Sequence, residues 1–390
     1  MISRRHFTRG LGAGLVCGVS GCVTTQANQP DVPPGYRPTD ADEVGLLRVF
    51  DRMEEKLKKS ALHLKTPALT AYLKDMCCRM AAPYCPDIRV YVVRNPEFNA
   101  SMASNGMMQV HTGFLLWCAN ESQVAAVLGH ELGHYLRRHS INRRRDIVGK
   151  RDAAAFLGLT GLASIPGMSE AAQTLIFYSV QAYSREHESE SDAVGIRLMA
   201  RGGYDPVEAA RVWERMIAVQ RQAGNDPTYT KQQIFSSTHP LEAERMGALY
   251  GLARGLGPPK DPPPAGLMEH VRPLRGMMLD DQVKSGDDKT TEALLGTILR
   301  DNPDDVGMVH FHMGEMYRRR QNTSDLGLAL ASYQWALASD GAPPETHRSM
   351  GLVLRKLGRQ GDAMDSFRTY LRLRPDADDR DVVQRYLAEG

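Results

Sequence analysis

Apolar residues return at helical spacing along most of this chain, and the stretches where they do not mark its boundaries. Residues 42–59 and 67–82 each read as an amphipathic helix, and residues 88–93 as a short strand. Behind Asn120, a residue suited to an N-cap, Val124, Val127, Leu128, Leu132 and Tyr135 recur on one helical face, which predicts a helix over 121–138. Helices dominate from there on. Residues 255–266 contain Gly257-Pro258-Pro259 and Pro262-Pro263-Pro264, so the pattern breaks and a linker is expected.

Past that linker the chain repeats itself. Gly314, Tyr317, Ala329, Tyr333 and Ala336 are echoed by Gly351, Leu354, Ala363, Phe367 and Tyr370, closing with Pro375, once a short insertion at 321–324 is allowed. Leu295, Ile298 and Pro303 read as the second half of an earlier unit. These are the small and aromatic positions of tetratricopeptide helix pairs, so residues 267–390 are expected to form an α-solenoid whose groove takes protein segments.

The opposite end follows an export pattern. Ser3-Arg4-Arg5-His6-Phe7-Thr8-Arg9 matches a twin-arginine signal, residues 11–20 a mildly apolar core, and Val19-Ser20-Gly21-Cys22 a lipobox. The expectation is a signal over 1–21, lipidation at Cys22, and a proline-rich tether over 22–39. Val23 is not the aspartate that favours inner-membrane retention, so the periplasmic leaflet of the outer membrane is preferred. The apolar stretch 153–165 is too short to span a bilayer, which leaves the lipid as the membrane anchor.

Composition removes some function classes. A hydrophobic fraction of 42% suits a globular body, and a net charge of +2 gives no reason to invoke nucleic acid. In an oxidising compartment Cys85 can pair with Cys77 or Cys78, and spacing does not choose between them; Cys118 is more simply a buried thiol.

The candidate chemistry lies in His130-Glu131-Leu132-Gly133-His134. One helical turn apart, His130 and His134 share a face and can bind one metal ion, with Glu131 placed to act as general base for a hydrolytic water. A third ligand is needed. The Gly and His that a metzincin carries after its second histidine are replaced here by Arg137 and Ser140, and His139 is one position out of register. A glutamate on a later helix is the other solution. Glu188 and Asp192, one turn apart, supply a ligand and an acceptor for the free ring N–H of His130, while Glu186, His187 and Glu190 read as the solvated face. His310 and His312 are two apart and make a poor chelate.

With Asn95-Pro96-Glu97-Phe98-Asn99-Ala100 and Val110-His111-Thr112-Gly113-Phe114 preceding them, these motifs resemble the gluzincin metallopeptidases related to CAAX prenyl protease and HtpX. The resemblance implies an α+β, mostly helical fold with a small sheet over 40–254 and one zinc ion per chain. It also implies that Asn99, Ala100 and the strand near 107–111 line a substrate edge. His239, in Thr238-His239-Pro240, is implied as a fourth ligand or transition-state stabiliser, and Arg245 as a residue orienting a carboxylate or the loop. The expected function is a zinc endopeptidase acting on unfolded or misassembled envelope proteins, its repeats recruiting substrate or outer-membrane assembly machinery. The alternative is a chaperone or adaptor with a latent metal site.

Overall fold

The Asp40 carboxylate accepts the Glu43 amide at 3.0 Å and starts helix α1, Ala41–Lys59. Pro67, with no N–H to lose, occupies the first turn of α2, Pro67–Met80. The computed structural model describes residues 31–149, 183–225, 243–301, 303–320 and 323–389. The expected signal, Cys22 and its flanks, the apolar stretch 153–165 and His239 all lie outside the described residues.

Three strands follow: β1 (Arg89–Val93), β2 (Ala100–Met102) and β3 (Met107–His111). Their order is β1-β3-β2, with β1 parallel and β2 antiparallel to β3. The strand expected to line the substrate edge, 107–111, is therefore the central one. Because side chains alternate across a strand, Met107 packs with Leu46 and Phe50 of α1, while Met108 and Val110 enter the main core.

Next come α3 (Thr112–Trp117), α4 (Glu121–Leu136) and α5 (His139–Gly149). Asn120 caps α4 by accepting the Gln123 amide at 3.0 Å. Further along lie α6 (Arg185–Arg201), whose cap Ser184 accepts the His187 amide at 3.3 Å, then α7 (Glu208–Gln222) and α8 (Ala243–Leu256). The C-terminal part comprises α9 (Leu267–Val271), α10 (Arg275–Lys284), α11 (Asp288–Asp301), α12 (Val306–Arg320), α13 (Thr323–Leu337), α14 (Glu345–Lys356), α15 (Gln360–Leu373) and α16 (Arg380–Ala388). Among the described residues no helix is long and apolar enough to cross a membrane.

One apolar core runs from Val32 through α2, the sheet, α4, α6 and α7 to α10, α11 and Val309. Polar ties cross the same junction. Arg94 grips Asp281 with two bonds of 2.7 Å, Arg215 pairs with Asp301, and Glu121 Oε1 accepts the Gly266 and Leu267 amides at 2.8 Å. Residues 31–38, expected within a tether, lie on the body: Val32 is buried and donates its amide to Leu136 O at 2.9 Å. The α12/α13 and α14/α15 pairs repeat one contact. A Cβ on Gly314 would stand 2.4 Å from the Tyr333 ring, and one on Gly351 would stand 2.6 Å from the Phe367 ring.

Cys85 pairs with Cys78, across a Cα separation of 4.8 Å, and Cys77 and Cys118 are buried free thiols. Under the sheet, Glu54 receives Arg89 at 2.5 and 2.6 Å and the Tyr91 hydroxyl at 2.7 Å. Burial opposes its charge, but these bonds outweigh it and hold the carboxyl below its ordinary range. A depressed pKa contributes stability that is complete above the unfolded value of about 4.3 and is lost as pH falls through the folded one. Glu54→Gln is expected to cost about 1–3 kcal/mol at pH 7, at the low end of buried-pair losses because Arg89 is over a third exposed. The deficit should shrink as pH drops below 4, which urea titrations at several pH values would measure.

Candidate metal centre

Helices α4 and α6 cross with their backbones almost touching. A Cβ on Gly195 would stand 2.8 Å from Gly129 C and from His130 N, and one on Gly133 2.9 Å from Ser191 Cα and O. Only residues without a side chain allow this approach, which brings ligands from two helices to one point.

At that point the Nε2 atoms of His130 and His134 are 3.0 Å apart, and each lies 3.4 Å from a Glu188 oxygen. The three side chains are buried and offer donor atoms within 4.8 Å of one another. An ion with tetrahedral bonds of about 2.0–2.1 Å spaces its donors roughly 3.3 Å apart, so the residues present fit zinc-like coordination. Two imidazole nitrogens facing one carboxylate form a donor set whose chemistry suits a divalent cation.

Further residues hold these three. His130 Nδ1 is 2.9 Å from Asp192 Oδ1, and Arg245 donates to the two Asp192 oxygens at 2.8 and 2.9 Å while its Nη1 lies 3.0 Å from Glu188 Oε2. Burial raises the Asp192 carboxyl, yet His130 and Arg245 outweigh it and bring the net shift down. Burial likewise opposes charge on His130, but Asp192 and Glu188 overcome it and lift the ring to about 10, so the surroundings favour positive charge there. His134 moves the other way, well below its ordinary value, chiefly through burial. Glu131 is fully buried on α4 between the two histidines.

The structure thus brings together His130, His134, Glu188, Asp192 and Arg245, with Glu131 buried on the same turn of α4. Asn99 is buried beside β2, its carbonyl accepting the His111 amide at 3.1 Å. His310 and His312 are placed apart from this centre on α12, with His312 buried and His310 stacked on Trp335.

Of the residues read from sequence as a solvated face, His187 is buried and Glu190 is partly buried. His187 stacks on His139 with centroids 4.3 Å apart, and Glu190 Oε2 lies 3.1 Å from His139 Nε2. Glu186 is exposed. Periodicity misled here because His139, at the start of α5, packs its ring against α6, which no local pattern announces. Tyr183, just ahead of the Ser184 cap, was also missed; its ring lies parallel to His134 at 3.8 Å, and its hydroxyl is 2.8 Å from Ser140 Oγ. The glycines carried a readable signal, since Gly129 and Gly133 inside a helix each cost about 1 kcal/mol unless a close approach requires them.

Residues 63–253 match the model of Peptidase family M48. A mitochondrial metalloendopeptidase OMA1 of Schizosaccharomyces pombe is 32% identical over 158 residues, 40% of this chain and 44% of the relative. A beta-barrel assembly-enhancing protease of Escherichia coli is 24% identical over 225 residues, 54% of this chain and 44% of the relative. A human mitochondrial metalloendopeptidase OMA1 is 27% identical over 214 residues, 50% and 39%. The chain therefore spans less than half the length of each of these relatives. Residues 63–253 are thus similar to Peptidase family M48, a metallopeptidase family, and within them the buried His130, His134 and Glu188 could hold a metal ion.

Proposed function

We propose that the chain is a zinc-dependent endopeptidase of the bacterial envelope that hydrolyses peptide bonds of misfolded or stalled outer-membrane or periplasmic proteins. The observation that carries this reading is the buried cluster of His130, His134 and Glu188 with Glu131 beside it on the same helix. Two imidazoles and a carboxylate at tetrahedral spacing suit zinc. When bound, zinc polarises a scissile carbonyl and makes water acidic enough to be deprotonated near neutral pH. Glu131 takes that proton and delivers it to the departing amine. Asp192 and Arg245 fix the ring of His130, and His239 serves as the fourth ligand or steadies the transition state.

Substrate is held by strand addition at β2. Asn99 O and Ala103 N bond to β3, so alternation turns the backbone groups of Ala100 and Met102 away from it, and an incoming strand would have to uncover these two buried residues to pair with them. Backbone pairing reads little sequence, which suits clients recognised by being unfolded. The Gly314–Tyr333 and Gly351–Phe367 contacts support tetratricopeptide repeats over 267–390, following a peptidase domain over 40–254 and a linker over 255–266. Their groove recruits substrate or the assembly machinery, a role in keeping with a relative named for β-barrel assembly. Twin-arginine export and lipid at Cys22 place the protein in the periplasm, on the outer membrane.

The test is cleavage of a purified, urea-unfolded outer-membrane barrel protein. Fragments are expected with the zinc-loaded protein, none after chelation, and fragments again on adding one equivalent of zinc. A zinc-loaded protein that leaves unfolded barrel, casein and a random peptide library intact would end the peptidase reading.

A further inference from the structure

The two histidine ligands are held by different devices. For His130 the free ring nitrogen meets the Asp192 carboxylate directly, at 2.9 Å. For His134 it meets another histidine: His134 Nδ1 is 2.8 Å from His139 Nδ1. Proton positions follow link by link. His134 Nε2 faces His130 and Glu188, so it presents its lone pair there and carries its proton on Nδ1. His139 Nδ1 must then accept, which puts the His139 proton on Nε2, 3.1 Å from Glu190 Oε2. Ser191 Oγ also lies 3.2 Å from His139 Nδ1, next to the shorter His134 contact.

The backbone is bent to make this contact. Arg138, between α4 and α5, has φ +55, the left-handed region that costs a non-glycine residue roughly 1–2 kcal/mol. The reversal returns His139 onto α4, where its ring is buried and stacked on His187. Arg138 is secured in that state by its ion pair with Glu43 and by the Tyr36 ring 4.7 Å away. The outer end is secured too, since Arg137 reaches Glu190 at 3.3 Å and Asp31 at 3.4 Å. Strain held by so many contacts marks a position the fold is built to keep.

We infer that His139 is a positioning residue for the ligand His134, setting its tautomer and ring orientation through Nδ1, with Glu190 as the acidic end of the relay. The inference rests on the metallopeptidase reading of the site. A histidine relay in place of a direct carboxylate gives His134 a neutral acceptor, so the two ligands differ in basicity while both stay oriented.

The test compares zinc affinity by chelator competition, and the visible spectrum of the cobalt-substituted protein, in full-length wild type and three variants. His139→Leu fills the volume without an acceptor and is expected to weaken zinc binding about 10–100-fold and to alter the cobalt bands. His139→Asn restores an acceptor near the Nδ1 position and should recover most of both. Glu190→Gln keeps the shape and removes the charge, and should show a smaller shift of the same sign. If His139 only filled space, the order would reverse, with Leu behaving as wild type and Asn worse; that result overturns the inference. Should His139→Leu fail to fold, Glu190→Gln decides, and an unchanged spectrum with unchanged affinity overturns it. Wild type that binds no zinc would sink the site itself, a separate failure.

Discussion

Glu131→Gln is expected to lower kcat/KM on an unfolded substrate by about 10²–10⁴-fold while one zinc ion still binds per chain. The reason is a division of labour along one helical turn. His130 and His134 supply nitrogen donors and Glu188 an oxygen, and Glu131 is not part of that donor set. Gln keeps the shape of a fully buried side chain but cannot take a proton from water. Turnover assays paired with elemental analysis for zinc would measure both halves. Equal turnover by wild type and variant would remove Glu131 as the base, and a cellular phenotype rescued equally by both would favour the adaptor reading.

Gly195→Ala is expected to cost about 10²-fold in turnover and roughly 1–3 kcal/mol in stability, though residue 195 supplies no donor. Its new methyl would stand 2.8 Å from the backbone of Gly129 and His130, where no flexible side chain can yield. The helices must separate, and separation moves Glu188 on α6 away from the histidines on α4. A site spanning two helices is sensitive to such a shift because all three donors must reach one ion. Gly247→Ala on α8 is the control: nothing lies within 4 Å of its added Cβ, so a gain of about 0.5–1 kcal/mol is expected with turnover unchanged. Paired thermal melts and kcat measurements decide it, and equal behaviour of the two variants would remove the role assigned to the helix crossing.

Elements with a local cause were legible in the chain. The first two helices, the first strand and α4 fall within two residues of their expected bounds, because apolar spacing, an N-cap at Asn120 and a proline at position 67 act over a few residues. The residues of the candidate donor cluster were legible for a related reason: His130 and His134 share one turn of α4, and Glu188 with Asp192 share one turn of α6. The choice between Cys77 and Cys78 was not legible, since adjacent residues differ only in which way the helix turns them, and packing sends Cys77 against Met108.

The sequence by itself determined the chemistry on offer, because a metal-binding pair and its base are set by residue type and helical spacing. Tertiary structure decided what those groups touch. Strand order made 107–111 the centre of the sheet, leaving β2 at one edge, and the chain reversal at Arg138 brought His139 against His187 and the partly buried Glu190. Bare glycines at 129, 133 and 195 decided that α4 and α6 could approach at all. Spacing along one helix is a local property, whereas the distance between two helices depends on every side chain packed between them.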